Sequence, residues 1–200
     1  MLDWTDEERD AYKAYERKKE LFYRRGGRNS SRDSERSKTY RSEWAFQSKM
    51  GSGKEFKTIK EAQKYADKVT KSVTWGKVTR KNGGVGVNKT RLEYAASRRN
   101  GTTAGYAFIG GRIKLYSSGM NEYTLLHELA HQAGYMHHGQ GFRQCLVKLV
   151  SRFMGRDAAK ALKAEFKERK LKMTVPKIKE PEVWLKSYRR MKELRARKNS

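Results

Sequence analysis

His127-Glu128-Leu129-Ala130-His131, followed shortly by His137-His138-Gly139-Gln140-Gly141-Phe142, decides how the rest of this chain is read. The 200 residues hold 4 histidines, and all four lie between positions 127 and 138. Histidines scattered as surface or core residues have no reason to crowd into so short a stretch. The usual consumer of several neighbouring imidazoles is a metal ion. On a helix, positions i and i+4 stand one above the other on one face. His127 and His131 are therefore expected to aim their rings at one point, with Glu128 beside that point as a non-ligand. This is the arrangement of a zinc hydrolase. Two imidazoles and a third ligand hold Zn²⁺, an open position admits water, and Glu128 takes the proton of that water as general base. The competing expectation is a buried helix with two hydrogen-bonded core histidines.

Outward from the motif, Asn121 suits the N-cap of this helix. Tyr123, Leu125, Leu126, Leu129, Ala130 and Ala133 give it apolar surface on more than one side, which predicts burial. Gly134 can end it, and the glycines at 139 and 141 permit a tight loop. Phe142, Leu146, Leu149, Val150, Phe153 and Met154 space as one face of a following helix that stops at Gly155. Asp157 is expected to cap another, with Ala158, Ala161, Leu162 and Phe166 inward. Cys145, the single cysteine, falls in an apolar helical pattern and reads as a core thiol rather than a ligand.

Before the motif the period changes. Thr58 and Glu61 predict a capping box that opens a helix to about Ser72, with Ile59, Ala62, Tyr65, Ala66 and Val69 on one face. Val73, Trp75 and Val78 read as a strand. Lys81-Asn82-Gly83-Gly84 reads as a hairpin turn, with residues 85 to 88 returning. Residues 105 to 109 and 112 to 117 read as two more strands around Gly110-Gly111. Arg91 to Asn100 has no clear pattern. The fold class expected is α+β: a small antiparallel sheet of three to four strands packed on the HExxH helix, with helical extensions at both ends.

Three units follow. Residues 1–39 are expected to form a helix over 3 to 25 and then a Ser/Arg-rich flexible linker over 28 to 38, which has no apolar residue. Residues 40–173 form the metal-binding domain, with Tyr40 to Phe46 joining its core. Residues 174–200 form a basic helical extension after Pro176 and Pro181, carrying Trp184 and Tyr188 among lysines and arginines. The formal net charge is +25, which favours a polyanionic partner, with nucleic acid first. One cysteine and no long apolar run predict a soluble, cytoplasmic protein without disulfide or membrane span.

Two residues compete as third ligand. The run His127-Glu128-x-x-His131-x-x-Gly134-x-x-His137 has the metzincin spacing, which makes His137 the ligand. Residues 125 to about 173 point elsewhere. Leu125-Leu126 before the HELAH stretch, then His138-Gly139-x-x-Phe142, Met154-Gly155 and Ala158-Ala159 resemble SprT-like and related phage and actinobacterial HExxH metallohydrolases. The similarity is close over about a quarter of the chain. The gap between His131 and His138 is shorter here than in those proteins. The resemblance implies a gluzincin-like minimal metallopeptidase core, His127, His131 and His138 as zinc ligands, and Glu128 as catalytic base. It also implies a peptidase acting on proteins bound to nucleic acid, in a host cytoplasm if the source is viral. The alternative from another class is a basic nucleic-acid-binding protein with a structural zinc and no hydrolase activity.

Overall fold

The computed structural model describes residues 33–81, 89–96, 103–108, 110–135 and 137–174, together with positions 6, 9, 10, 13, 14 and 17. Those six early positions are helical, in agreement with the helix expected over 3 to 25, whose other residues lie outside the described set. The expected return strand over 85 to 88 and the basic helix beyond 174 lie outside it as well.

The described chain is α+β. Six helices surround a three-stranded sheet: α1 (Arg36–Met50), α2 (Ile59–Thr70), α3 (Val73–Lys81), β1 (Arg91–Ala95), β2 (Gly105–Ala107), β3 (Arg112–Tyr116), α4 (Glu122–Gln132), α5 (Gln140–Phe153) and α6 (Arg156–Glu168). Among the described residues no helix is long and apolar enough to cross a membrane.

The sheet is mixed, not antiparallel. Its order is β1-β3-β2, with β1 parallel to β3 and β2 antiparallel to it. The hairpin β2–β3 turns at Gly110 and Gly111, both at positive φ (95° and 99°), a region that glycine enters without a Cβ clash. β3 is central, so its alternate residues Ile113 and Leu115 are fully buried, whereas β1 buries only Leu92. The outer edge of β1 is met by a side chain of α2. Gln63 donates to the Thr90 carbonyl and accepts from Leu92 N–H, both at 2.8 Å.

Val73, Trp75 and Val78 form helix α3, not a strand. Ser72 Oγ accepts from Trp75 N–H at 3.1 Å, and the Thr79 hydroxyl donates to the Trp75 carbonyl at 2.9 Å. The buried set Trp75, Val78 and Thr79 has the i, i+3, i+4 spacing of a helix. Thr58 caps α2 as expected, accepting from Glu61 N–H at 3.2 Å, while Glu61 reaches back to Lys57 N–H at 3.1 Å. The cap of α6 is Gly155, at φ 102°, rather than Asp157. Asp157 sits in the first turn and pairs with Lys160 at 3.1 Å.

The stretch expected to be a flexible linker is folded where it is described. Residues 33–38 make a turn and open α1, and α1 lies against α6. Ser42 donates to the Glu165 carbonyl at 3.2 Å, and Lys49 pairs with Glu165 at 2.5 Å. The compact unit therefore reaches back to Asp33.

Helix α4 is the axle of the fold. Asn121 caps it, accepting from Thr124 N–H at 2.9 Å. Two more of its first N–H groups, from Glu122 and Tyr123, donate to the carbonyls of Lys54 and Ser52 at 2.8 and 3.0 Å. Every residue from Glu122 to Ala130 is buried. At the other end, Gln132 donates to the carbonyls of Phe108 and Arg112 at 2.7 and 3.2 Å, tying α4 to the β2–β3 hairpin. Cys145 is a buried free thiol in α5, and burial pushes its pKa well up, so it is inert in the core.

Candidate metal centre

Helix periodicity puts His127 and His131 on one face of α4, and the loop before α5 brings His138 to them. One ring nitrogen from each lies within 4.8 Å of the others. Ring centroids are 5.1 Å apart for His127–His131, 5.1 Å for His127–His138 and 4.8 Å for His131–His138. His137, which the metzincin spacing favours, is not among the converging rings.

Each imidazole is held by its Nδ1. His127 Nδ1 meets Glu43 Oε2 at 3.0 Å, His131 Nδ1 meets the Tyr135 carbonyl at 2.7 Å, and His138 Nδ1 meets Asp33 Oδ2 at 2.6 Å. All three partners are acceptors, so each Nδ1 carries a proton and donates. In the neutral ring this sets the tautomer with the Nε2 lone pair facing the other rings. Three borderline-soft nitrogens with satisfied outer hydrogen bonds make a donor set that fits a divalent transition metal ion.

His138 is secured at its backbone too. Its N–H donates to both oxygens of Asp33, at 3.3 and 3.2 Å. Its carbonyl accepts from Arg143 Nη1 at 2.6 Å and from the Thr39 hydroxyl at 3.2 Å. Arg143 is fully buried. It pairs with Glu35 through two nitrogens, both at 3.1 Å, and donates through Nε to the Lys172 carbonyl at 3.0 Å. One guanidinium thus joins the start of α1, the ligand loop and the chain after α6.

Electrostatics distinguishes the three rings. Burial opposes charge on His127, but Glu43, aided by Glu128 and Asp33, outweighs it and lifts the pKa from 6.5 to about 9. Glu43 Oε1 is buried without a hydrogen-bond partner among the described residues, so His127 is the side chain that the carboxylate holds directly. Without metal, His127 is therefore an imidazolium at neutral pH, and its Nε2–H bridges to His138 Nε2 at 3.2 Å. Burial, with the charge of His127, holds His131 well below 6.5. Burial also lowers His138, against the raising effect of Asp33.

The signs for stability differ. The raised His127 stabilises the metal-free fold fully below pH 6.5, and that contribution is lost as pH rises through about 9. His131 and His138 contribute above 6.5, and their contribution is lost as pH falls toward their lowered folded values. Metal uptake must expel the His127 proton. Titration with Zn²⁺ at pH 7.5 is accordingly expected to release about one proton per site, read by calorimetry in buffers of different ionisation enthalpy. In the same titration His137→Ala should match wild type in metal uptake and proton release, and His138→Ala should lose both.

Glu128 follows His127 on α4 and is buried. Burial raises its pKa from 4.5 to about 7, helped by Glu43 and opposed by the His127 charge and the Ala107 backbone N–H. The β2 backbone lies against it: a Cβ added at Gly105 would sit 2.9 Å from both Glu128 Cγ and Oε1. Phe142, fully buried, packs under all three imidazoles at centroid distances of 4.9, 4.6 and 4.7 Å. Half-buried Tyr40 also borders the rings, in a T-shaped contact with His138 at 4.8 Å and 5.8 Å from His127.

Comparison of the chain with protein-family models, with curated proteins and with solved structures finds no match.

The sequence pattern points to His127, Glu128 and His131 with His138 or His137, and the rings of His127, His131 and His138 converge, with Glu128 next to His127 on the helix. It gives no sign of Asp33, Tyr40 or Glu43 as parts of the site. A signal exists for Arg143, which shares the apolar stripe of Leu146, Val147 and Val150 in α5. An arginine on a core face demands a buried partner. Asp33 and Glu43 carry no such mark.

Proposed function

We propose that this chain is a zinc-dependent metallohydrolase, and more narrowly a metallopeptidase, with His127, His131 and His138 as metal ligands and Glu128 as general base. One observation carries the reading: three imidazoles converge with every Nδ1 already bonded, and the residue after the first of them is a buried carboxylate, Glu128, that burial biases toward holding a proton. Bound Zn²⁺ would supply Lewis-acid activation of a water molecule and of the substrate carbonyl. Glu128 accepts the proton of the attacking water and later delivers it to the leaving amine. Glu43, Asp33 and the Tyr135 carbonyl keep the ligand rings in the right tautomer and orientation. Phe142 closes the floor and keeps water from reaching the rings from below.

A structural zinc site with four protein ligands needs no such carboxylate, and the described donor group stops at three rings. The test is cleavage of casein by the zinc-loaded protein, its loss with a chelator and its recovery on adding zinc. If wild type and Glu128→Gln both bind zinc and neither cleaves, the structural-zinc reading replaces this one.

The substrate class we infer is protein associated with DNA. The support is the charge of +25 and its placement. Lys160, Lys163 and Lys167 form an exposed stripe on α6 that Lys170 and Lys172 continue. These five rim a groove of about 490 Å³ floored by Ala164, Leu171 and Met173. Deleting residues 174–200, or replacing Lys163 and Lys167 by Gln, is expected to weaken binding to duplex DNA. The log–log salt slope should flatten by roughly one unit for each phosphate that is no longer neutralised. An unchanged slope in both variants removes DNA as the partner.

A further inference from the structure

We propose that Tyr40 is a further catalytic residue, whose hydroxyl donates a hydrogen bond to the oxygen of the scissile carbonyl as negative charge gathers there. The proposal rests on the hydrolase reading above and supplies the oxyanion donor which that reading lacks. Peptide hydrolysis through a tetrahedral intermediate gains most from a donor aimed at the developing oxyanion.

Few of the described donors near the rings are free to serve. Arg143 has no free face: it is fully buried on Glu35 and on the carbonyls of His138 and Lys172. Tyr135 is buried, and its hydroxyl donates to the Val78 carbonyl at 3.4 Å. The Tyr123 hydroxyl is buried too. Of the aromatic rings that touch the ligands, Phe142 has no polar atom and seals the floor. Tyr40 is half-buried, edges onto His138 at 4.8 Å and lies 5.8 Å from His127. These are the two rings whose Nε2 atoms are 3.2 Å apart, so Tyr40 borders the point on which the lone pairs converge. Its hydroxyl has no hydrogen-bond partner among the described residues, which leaves the donor available to a ligand. At neutral pH a phenol is protonated and can donate.

Placement is rigid. Thr39 and Glu43, on either side of Tyr40 in α1, are bound to the His138 carbonyl and to His127 Nδ1. Trp44, one turn on and 60% exposed, stacks on Tyr40 with centroids 6.2 Å apart, and this fixes the outer face of the ring.

In the reaction, water oxygen adds to the carbonyl carbon, and one water proton passes to Glu128. The C=O π pair moves onto the carbonyl oxygen, which accepts the Tyr40 hydrogen bond. On collapse the C–N bond breaks, its electron pair leaves with nitrogen, and Glu128 returns the proton to that nitrogen. Tyr40 keeps its proton throughout.

The test compares zinc-loaded wild type, Tyr40→Phe and Glu128→Gln as full chains. Tyr40→Phe removes the hydroxyl and keeps the ring packing. Zinc content and KM for a fluorogenic casein peptide should be unchanged, and kcat should fall by about 10²–10³-fold. Affinity for a phosphinic peptide, whose tetrahedral P–O⁻ mimics the oxyanion, should fall with kcat. Full kcat and unchanged phosphinate affinity in Tyr40→Phe, with Glu128→Gln inactive, overturn the role of Tyr40 and leave the hydrolase reading standing. If wild type itself cleaves nothing, both fall together.

Discussion

Glu128→Gln is expected to slow peptide cleavage by about 10²–10⁴-fold while zinc content and fold stay those of wild type. The amide is isosteric with the carboxylate. Its oxygen can still accept from the Ala107 N–H, and it fits the space that Gly105 leaves open. What it cannot do is take a proton. Replacing the charge should also lower the pKa of His127, because Glu128 is one of the acids that raise it. Proton release on zinc binding at pH 8 should therefore shrink, a second readout independent of turnover. Cleavage rates within tenfold of wild type would remove Glu128 from the base role.

The features that can be read from sequence are local ones. The HELAH spacing, the Asn121 cap and the apolar face of α5 each follow from helix geometry within a few residues. The packing of α4 is also legible, because apolar residues on several sides of a helix leave no face for water. Val73 to Val78 suggests a strand because an alternation of three residues fits a strand as well as it fits the start of a helix; the buried Thr79 decides it. The parallel pairing of β1 with β3 depends on which strand takes the central place, and no local pattern encodes that. Asp33 and Glu43, and the partners that Arg143 takes, escape a sequence reading for a related reason. Polar residues inside this fold act through partners as many as 123 positions away, and such pairing has no period.

Arg143→Ala is expected to destabilise the fold by about 3–5 kcal/mol, because it removes the fully buried cation that pairs with Glu35 and strips a donor from each of two carbonyls. For a chain of this size that corresponds to a Tm lower by roughly 10 °C, readable by thermal melts with and without zinc. Removing both charges in Arg143→Met with Glu35→Gln should recover part of the loss, since a matched apolar replacement costs less than a stranded charge. The carbonyls of His138 and Lys172 still lack the guanidinium donors, and among the described residues only that of His138 keeps another, from Thr39, so recovery is incomplete. Zinc should narrow the gap between wild type and variant, because ligand binding favours the native state. If the single variant melts at the wild-type temperature, Arg143 does not fasten the fold.

The distance in sequence between Asp33 and His138 has a consequence for biogenesis. On the ribosome the acid emerges first, and its imidazole partner is added 105 positions later. Helix α4 alone presents two imidazoles with nothing to complete them. The three-ring donor set is therefore complete only once the loop before α5 has been made, and a product ending before His138 would carry two of its three imidazoles.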